Sequence, residues 1–294
     1  LMGTRSAFGS CWNNTVPSTQ LADMYELKDG RPFSWNDVFP GYNDATPDQR
    51  KELFSVEMDA SGAVIGLRDV DTAQILNVYK SRDPRMMATL IVPYSIYKGC
   101  IGKTTPRDML FAMDHNVQGN ENQGTIRNNK GWISYLYRKF VVEYDLGGAI
   151  SDRLHTPFEF PLIRYADVLL MLAEAYNENN QLDKAVAEFN KVRARVDMPG
   201  LNSGPAWMLV TSKEQMAERI RKERAVEFAG EGLRFSDLRR WGWEIASKAM
   251  SEVDAINIYG EFIYTHKFSE RDMLWPIPGV EIERNEALKQ NPGW

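Results

Sequence analysis

The sequence predicts a mostly α fold, helical hairpins preceded by a loop-rich region, and three observations predict it. From Pro157 to Asp197, apolar residues recur at steps of three and four. From Thr211 to about Met250, a capping signal, helical patterning and a glycine stop follow one another. Before Pro157, by contrast, Gly, Asn, Asp and Pro are scattered throughout and apolar runs are short. The chain is therefore read as two parts, a loop-rich part over 1–156 and a helical part with a packing tail over 157–294.

Leu162, Tyr165, Leu169, Leu172 and Tyr176 define one face of a first long helix. Leu182, Ala185, Val186, Phe189, Val192 and Val196 do the same for a second. Asn179-Asn180 suits the turn between them, because Asn tolerates left-handed backbone angles. The small residues Ala173 and Ala185, with Phe189, fit a tetratricopeptide-type hairpin, in which two helices approach closely. A lone hairpin of this kind cannot bury both faces, so an isolated piece should expose apolar helix surface. The next helix starts at a capping box, Thr211 with Glu214 or Ser212 with Gln215, and runs through Met216, Ile220, Val226 and Phe228 to Gly230-Glu231-Gly232. Phe235, Leu238 and Trp241 step by three, and Gly242 interrupts a pattern that resumes to about Met250. Pro276, Pro278 and Pro292 argue for an extended tail without regular helix. Upstream, short helices are predicted over Gln20–Leu27, Pro47–Phe54 and Thr72–Lys80. Arg85–Val92, Trp132–Val142 and Tyr259–Phe268 read as strands, and Gln118–Lys130 as an exposed loop.

Composition narrows the function. A hydrophobic share of 43% and a charged share of 26% suit a globular protein. A net charge of −5 argues against nucleic acid as partner. The strongest apolar run, Val168 to Ala173, is too short to span a bilayer. Cys11 and Cys100 permit a disulfide without establishing one. His115, His155 and His266 are far apart and in no metal-ligand spacing, and no glycine-rich phosphate loop, CxxC, HExxH or nucleophile elbow is present. Neither metal, cofactor nor catalytic residue is therefore assigned. The eight Trp and twelve Tyr point elsewhere, since flat aromatic faces suit the apolar face of a sugar ring.

Five segments carry a family resemblance. RYADVLLMLAEAYN, FNKVRARV, IRKERAVEFAGEGLRFSDLRRWG, LWPIPGVEI and the terminal QNPGW resemble the C-terminal half of SusD/RagB proteins. PSTQLADMYELKDGRPF, from Pro17 to Phe33, is similar to the mid-chain segment of that family, with an inserted Ser18. The order of the motifs matches as well. The resemblance implies a SusD-like fold whose loop-rich part faces the ligand. It implies non-catalytic capture of oligosaccharide at the outer surface of a Bacteroidetes-type bacterium, with delivery to a SusC-like TonB-dependent transporter. The membrane would be met only through a lipid anchor on the outer membrane. Leu1-Met2-Gly3-Thr4 is no signal peptide, so the chain is read as a piece from which the N-terminal half of the family fold, with its anchor, is absent, with a shortened homologue as the alternative.

Candidate site residues follow by elimination. The cluster Arg221, Glu223, Arg224, Glu227, Glu231, Arg234, Asp237, Arg239 and Arg240 nearly balances its charges, so an internal salt-bridge lattice is expected, with Arg164 and Arg193 in it. Tyr165, Tyr176, Phe189, Phe228 and Phe235 are assigned to the core, and Trp241, Trp243, Trp275 and Trp294 to packing. Among the remaining aromatics, Trp12, flanked by Asn13 and Asn14, is the leading ligand-binding candidate: a stacking platform beside amides suits sugar hydroxyls. Trp35, Tyr42 and Trp132 follow, with core packing as the competing reading for each. Two rival functions stay open. One is a lid or scaffold that binds peptide or protein cargo through the hairpin surface. The other is a glycosidase, which needs two carboxylates across one cleft, and nothing in the sequence marks such a pair.

Overall fold

The computed structural model describes residues 16–54, 56–58, 60, 64–67, 72–101, 105–111, 135–141, 143–144 and 161–294. Helix α1 (Thr19–Met24) begins at Ser18, whose hydroxyl accepts from Leu21 N–H, and α2 (Pro47–Glu52) begins with a Thr46–Gln49 capping box and Pro47 in its first turn. A hairpin of β1 (Val56–Met58) and β2 (Val64–Leu67) leads to α3 (Thr72–Lys80) and α4 (Pro84–Thr89). The strand β3 (Leu90–Ile91) follows without a break, then the hairpin of β4 (Ile96–Ile101) and β5 (Thr105–Leu110). β6 (Leu136–Tyr137) returns to pair antiparallel with β3.

The helical part opens with α5 (Tyr165–Glu178) and α6 (Leu182–Ala194), which pack against each other and on α7 (Lys213–Glu227). Asn180 turns the chain between α5 and α6 at φ 57°, the left-handed angle that the Asn-Asn pair predicts. Of the two capping boxes offered by the sequence, Ser212 with Gln215 starts α7. Helices α8 (Leu233–Arg240) and α9 (Trp243–Met250) follow, then the hairpin of β7 (Asp254–Ile256) and β8 (Phe262–Thr265), and α10 (Gly279–Arg284). The fold is mostly α, and the strands among the described residues form two-stranded antiparallel pieces only.

Two cores result. One gathers Trp35, Tyr42, Phe54, Tyr79, Tyr97 and Phe111 in the loop-rich part, and Val226, Ile258 and Tyr259 reach into it from the helical part. The other lies between α5, α6 and α7, around Leu169, Leu170, Phe189, Ile220 and Phe228.

Three expectations need correction. The buried face of α5 is Ala166, Leu169, Leu170, Ala173 and Asn177, so only Leu169 of the anticipated stripe is buried. Tyr165 is 73% exposed, Leu162 91% and Leu172 37%, whereas Tyr176 is half-buried. The reason is that apolar residues cover most of α5 and leave only the strip of Asp167, Glu174 and Glu178 acidic, so periodicity alone leaves two apolar sides that could meet α6 and α7. Tyr165, Val168, Met171 and Leu172 remain exposed on its other side. Second, residues 85–89 of the anticipated strand over Arg85–Val92 belong to helix α4; Asp83 accepts from Arg85 N–H as the N-cap and Pro84 fills the first turn, where no hydrogen bond is lost. Third, the proline-rich tail contains α10, which starts directly after Pro278. Proline is compatible with that flanking position.

Candidate functional site

Trp35 and Tyr42 are placed in the core of the loop-rich part. Trp35 opens a 3-10 turn (Trp35–Asp37) that Ser34 caps, and Tyr42 opens another (Tyr42–Asp44). The Trp35 ring stacks on Tyr42 at 5.0 Å and on Phe39 at 6.2 Å, and it meets Phe33, Phe54 and Tyr79 edge-on. Tyr42 carries Trp35 against its ring and Arg50 at 4.9 Å from its centroid. Its hydroxyl donates to Ile258 C=O, and burial pushes that phenol up to about 12. Neither ring offers a free face, so neither serves as a stacking platform for a sugar, which corrects the expectation for both. Trp12, Asn13, Asn14 and Trp132 lie outside the described residues, as does Cys11.

The surface over this aromatic core is polar and open. A groove of about 470 Å³ is lined by Val38, Gln74, Asn77, Val78 and Ser81. Val38 follows the Trp35 turn, and Val78 precedes Tyr79, whose ring meets Trp35 at 5.7 Å. Gln74, Asn77 and Ser81 are exposed, while Ile75, Val78 and Tyr79 are buried. The groove therefore has two valine side chains and, beside them, uncharged groups that both donate and accept hydrogen bonds. Its signal was in the sequence: Gln74, Asn77 and Ser81 at steps of three and four mark the solvent side of α3 and its end.

Charged groups are instead gathered between the two cores. Arg85 reaches back to the Asp83 carboxylate at 2.6 Å and across to Glu223 at 2.6 Å and Glu227 at 3.0 Å on α7. Arg193 on α6 joins Glu223 at 3.1 Å to Glu26 at 2.9 Å, and Arg219 and Lys222 close on Glu26. Arg164 links Glu227 to Glu231, at 2.7 and 2.8 Å, and Lys139 also pairs with Glu231. A second group joins Arg224 to Asp167 and Asp237, and Arg240 to Asp237 and Glu174. Burial alone would push the Glu227 carboxyl up, but Arg164, Arg85 and Arg195 outweigh it and hold it below the usual range. The cavity inside this lattice is only about 10 Å³, room for one water at most. The anticipated salt-bridge lattice is present for Glu223, Arg224, Glu227, Glu231, Asp237 and Arg240 with Arg164 and Arg193, whereas Arg221, Arg234 and Arg239 join no ion pair among the described residues and Arg234 and Arg239 donate to the C=O of Arg221 and Met273 instead; the lattice also recruits Arg85 and Glu26, which sequence reasoning missed. Nearby, Arg82 is fully buried with its guanidinium on Ala22 and Tyr25 C=O, at the C-terminal end of α1, where the helix is electronegative.

Among the described residues, no group of three or more His, Cys, Asp or Glu is placed to hold a metal ion, and no helix is long and apolar enough to cross a membrane. The SusD family model matches residues 3–294. The chain belongs to the SusD family. A SusD-like protein of Formosa agariphila is 31% identical over 132 residues, 44% of this chain and 24% of that protein. A second SusD-like protein of that species is 35% identical over 138 residues, 45% of this chain and 25% of that protein. The solved structure of a SusD-like protein from Bacteroides fragilis superposes with a TM-score of 0.62 at 23% identity, over 100% of this chain and 50% of its own. The chain thus spans about half the length of that relative and matches a quarter of the other two. That likeness establishes the fold: a mostly helical, SusD-like architecture.

Proposed function

We propose that this chain is the glycan-facing part of a SusD-type protein that captures oligosaccharide at the outer bacterial surface without turning it over. It then delivers the sugar to a SusC-like TonB-dependent transporter, held to the outer membrane by a lipid anchor. The observation that carries this reading is the family match over residues 3–294, and the uncharged groove beside α3 supports it. Its amides and hydroxyl suit sugar hydroxyls, and the half-buried Val38 suits the C–H face of a ring. Trp12, Asn13, Asn14 and Trp132 are proposed as further contacts on the same functional grounds.

Isothermal titration of the full-length protein against a glycan panel tests the reading. One or two stacked rings at ~0.5–1.5 kcal/mol each, with polar contacts, correspond to affinities of roughly millimolar to micromolar. No sugar should be released in a reducing-end assay. Trp12→Ala should weaken binding about tenfold with an unchanged melt, since a stacking face is worth ~1–2 kcal/mol, by analogy with base stacking. Heat with peptides and none with any glycan would overturn glycan capture.

The exposed face of α5 favours a second reading, in which the hairpin surface serves as an interaction scaffold for the transporter complex or its peptide or protein cargo. Leu172→Glu would then abolish assembly while leaving glycan affinity intact.

A further inference from the structure

A second groove, of about 620 Å³, lies in the helical part, where α9 runs into the β7–β8 hairpin and the chain continues to a 3-10 turn, Glu270–Met273. One wall is Phe268. Its ring stacks on Trp243 at 5.9 Å and 28°, and Phe235 supports it edge-on at 6.2 Å. The aromatic wall is therefore backed by two further rings and fixed in orientation.

The rest of the lining is polar and of both signs. Glu252 and Lys267 are exposed, and no ion pair between them or with another described group occupies either. Ser251 adds a hydroxyl, and Ser269 and Thr265 add two more that already donate to Asp272 and Asp254, leaving their oxygens as acceptors. Asp272 accepts from Ser269 N–H at 2.8 Å, and that bond holds its carboxyl below the usual range, so it remains an acceptor at neutral pH. Arg271 lies over the Trp294 ring at 4.6 Å. Glu252 sits at φ 51°, an uncommon angle for a residue with a side chain.

This mixture discriminates between ligand classes. An anion would be drawn to Lys267 and Arg271 and repelled by Glu252 and Asp272, and a cation the reverse, so the lining as a whole selects for neither sign of charge. A sugar carries hydroxyls that both donate and accept and an apolar C–H face. Carboxylates, an ammonium, hydroxyls and one supported ring are what such a ligand can satisfy together.

We infer that the groove between β8 and the Glu270–Met273 turn is a carbohydrate subsite, with Phe268 against a sugar ring and Glu252 and Lys267 on its hydroxyls. The inference rests on the reading of the chain as a glycan binder and adds to it a site in the helical part. The ligand class is an oligosaccharide.

The test uses the full-length protein with neutral and uronic-acid hexasaccharides and a hexapeptide of mixed sequence. Glycan affinity is measured by titration, and the amide resonances of residues 251–272 are followed during it. Lys267→Ala removes an exposed side chain. Glu252→Gly removes another and suits the left-handed backbone, so neither variant should lower the melting temperature. Each should weaken glycan binding about fivefold, the scale of one lost hydrogen bond. The amides around Phe268 should shift with glycan and not with peptide. Glycan binding that leaves both variants and these amides unaffected would sink the subsite and leave glycan capture standing. A shift with peptide alone would reassign the groove to peptide. No glycan binding at all would overturn both readings.

Discussion

Arg85→Met is the sharpest test of what holds the two cores together. Arg85 is buried, and its guanidinium meets Asp83, Glu223 and Glu227 at 2.6, 2.6 and 3.0 Å. Methionine fills much of the same volume, so the cavity contribution is small and the perturbation is mainly electrostatic. The three carboxylates are affected unequally. Glu223 keeps Arg193, and Glu227 keeps Arg164 and Arg195. Asp83 keeps no ion pair among the described residues, only its bond from residue 85 N–H. Stranding a buried charge costs about 3–5 kcal/mol. At a urea slope of about 3 kcal/mol per molar, the midpoint should fall by about 1–1.7 M. Adding Asp83→Asn neutralises the stranded group and should restore at least about 1 kcal/mol, since contacting residues couple on that scale. A single-variant loss below about 1 kcal/mol would show that the lattice is solvated, and the account of the junction would fail.

Other predictions follow from the same contacts. Glu227 has a folded pKa below its ordinary 4.5, so its stabilisation is complete above that value and is lost as pH falls through the folded value; the urea midpoint should be level from pH 7 to about 5 and drop below about 4.5, and a midpoint that rises on acidification would contradict the ion pairs. Leu169→Ala should cost about 2–5 kcal/mol in a denaturant melt, whereas Leu172→Ala, on the exposed side of α5, should change it by no more than about 0.5 kcal/mol; equal effects would refute the orientation of the helix. Trp35→Ala should cost about 3–5 kcal/mol, because five rings lose a partner; a stable variant with weakened glycan affinity would return Trp35 to the binding surface.

Local signals in the chain specify the structure where short-range physics decides the outcome. Asn179-Asn180, the Ser212–Gln215 box and the 72–80 helix depend on neighbours within four residues, and each is where the pattern places it. The failures lie where a distant partner decides. Which side of α5 is buried depends on α6 and α7, and a helix with apolar residues on both sides of its acidic strip carries no record of it. Trp35 and Tyr42 look like loop aromatics in FSWNDVFPGYND, yet they are buried, and Tyr42 bonds to residue 258, far away in sequence. The groove at β8 is hidden for the same reason: Phe268 is supported by Trp243 of α9 and Phe235 of α8.

That division between local and distant determinants bears on how binding can be built here. The buried aromatics and the ion lattice are committed to closing the two cores, and their rings and charges are already partnered. The polar groups of both grooves lie outside them. Gln74, Asn77 and Ser81 occupy the solvent side of α3 and its end, and Glu252 and Lys267 are exposed beside a ring that other rings hold in place. Changing such residues alters what a ligand meets while leaving the contacts that set stability untouched, as expected of sites carried on a rigid scaffold. Specificity among relatives of this fold should therefore vary through residues like Asn77 and Lys267, and a change at Arg85 or Trp35 should register first in the melt.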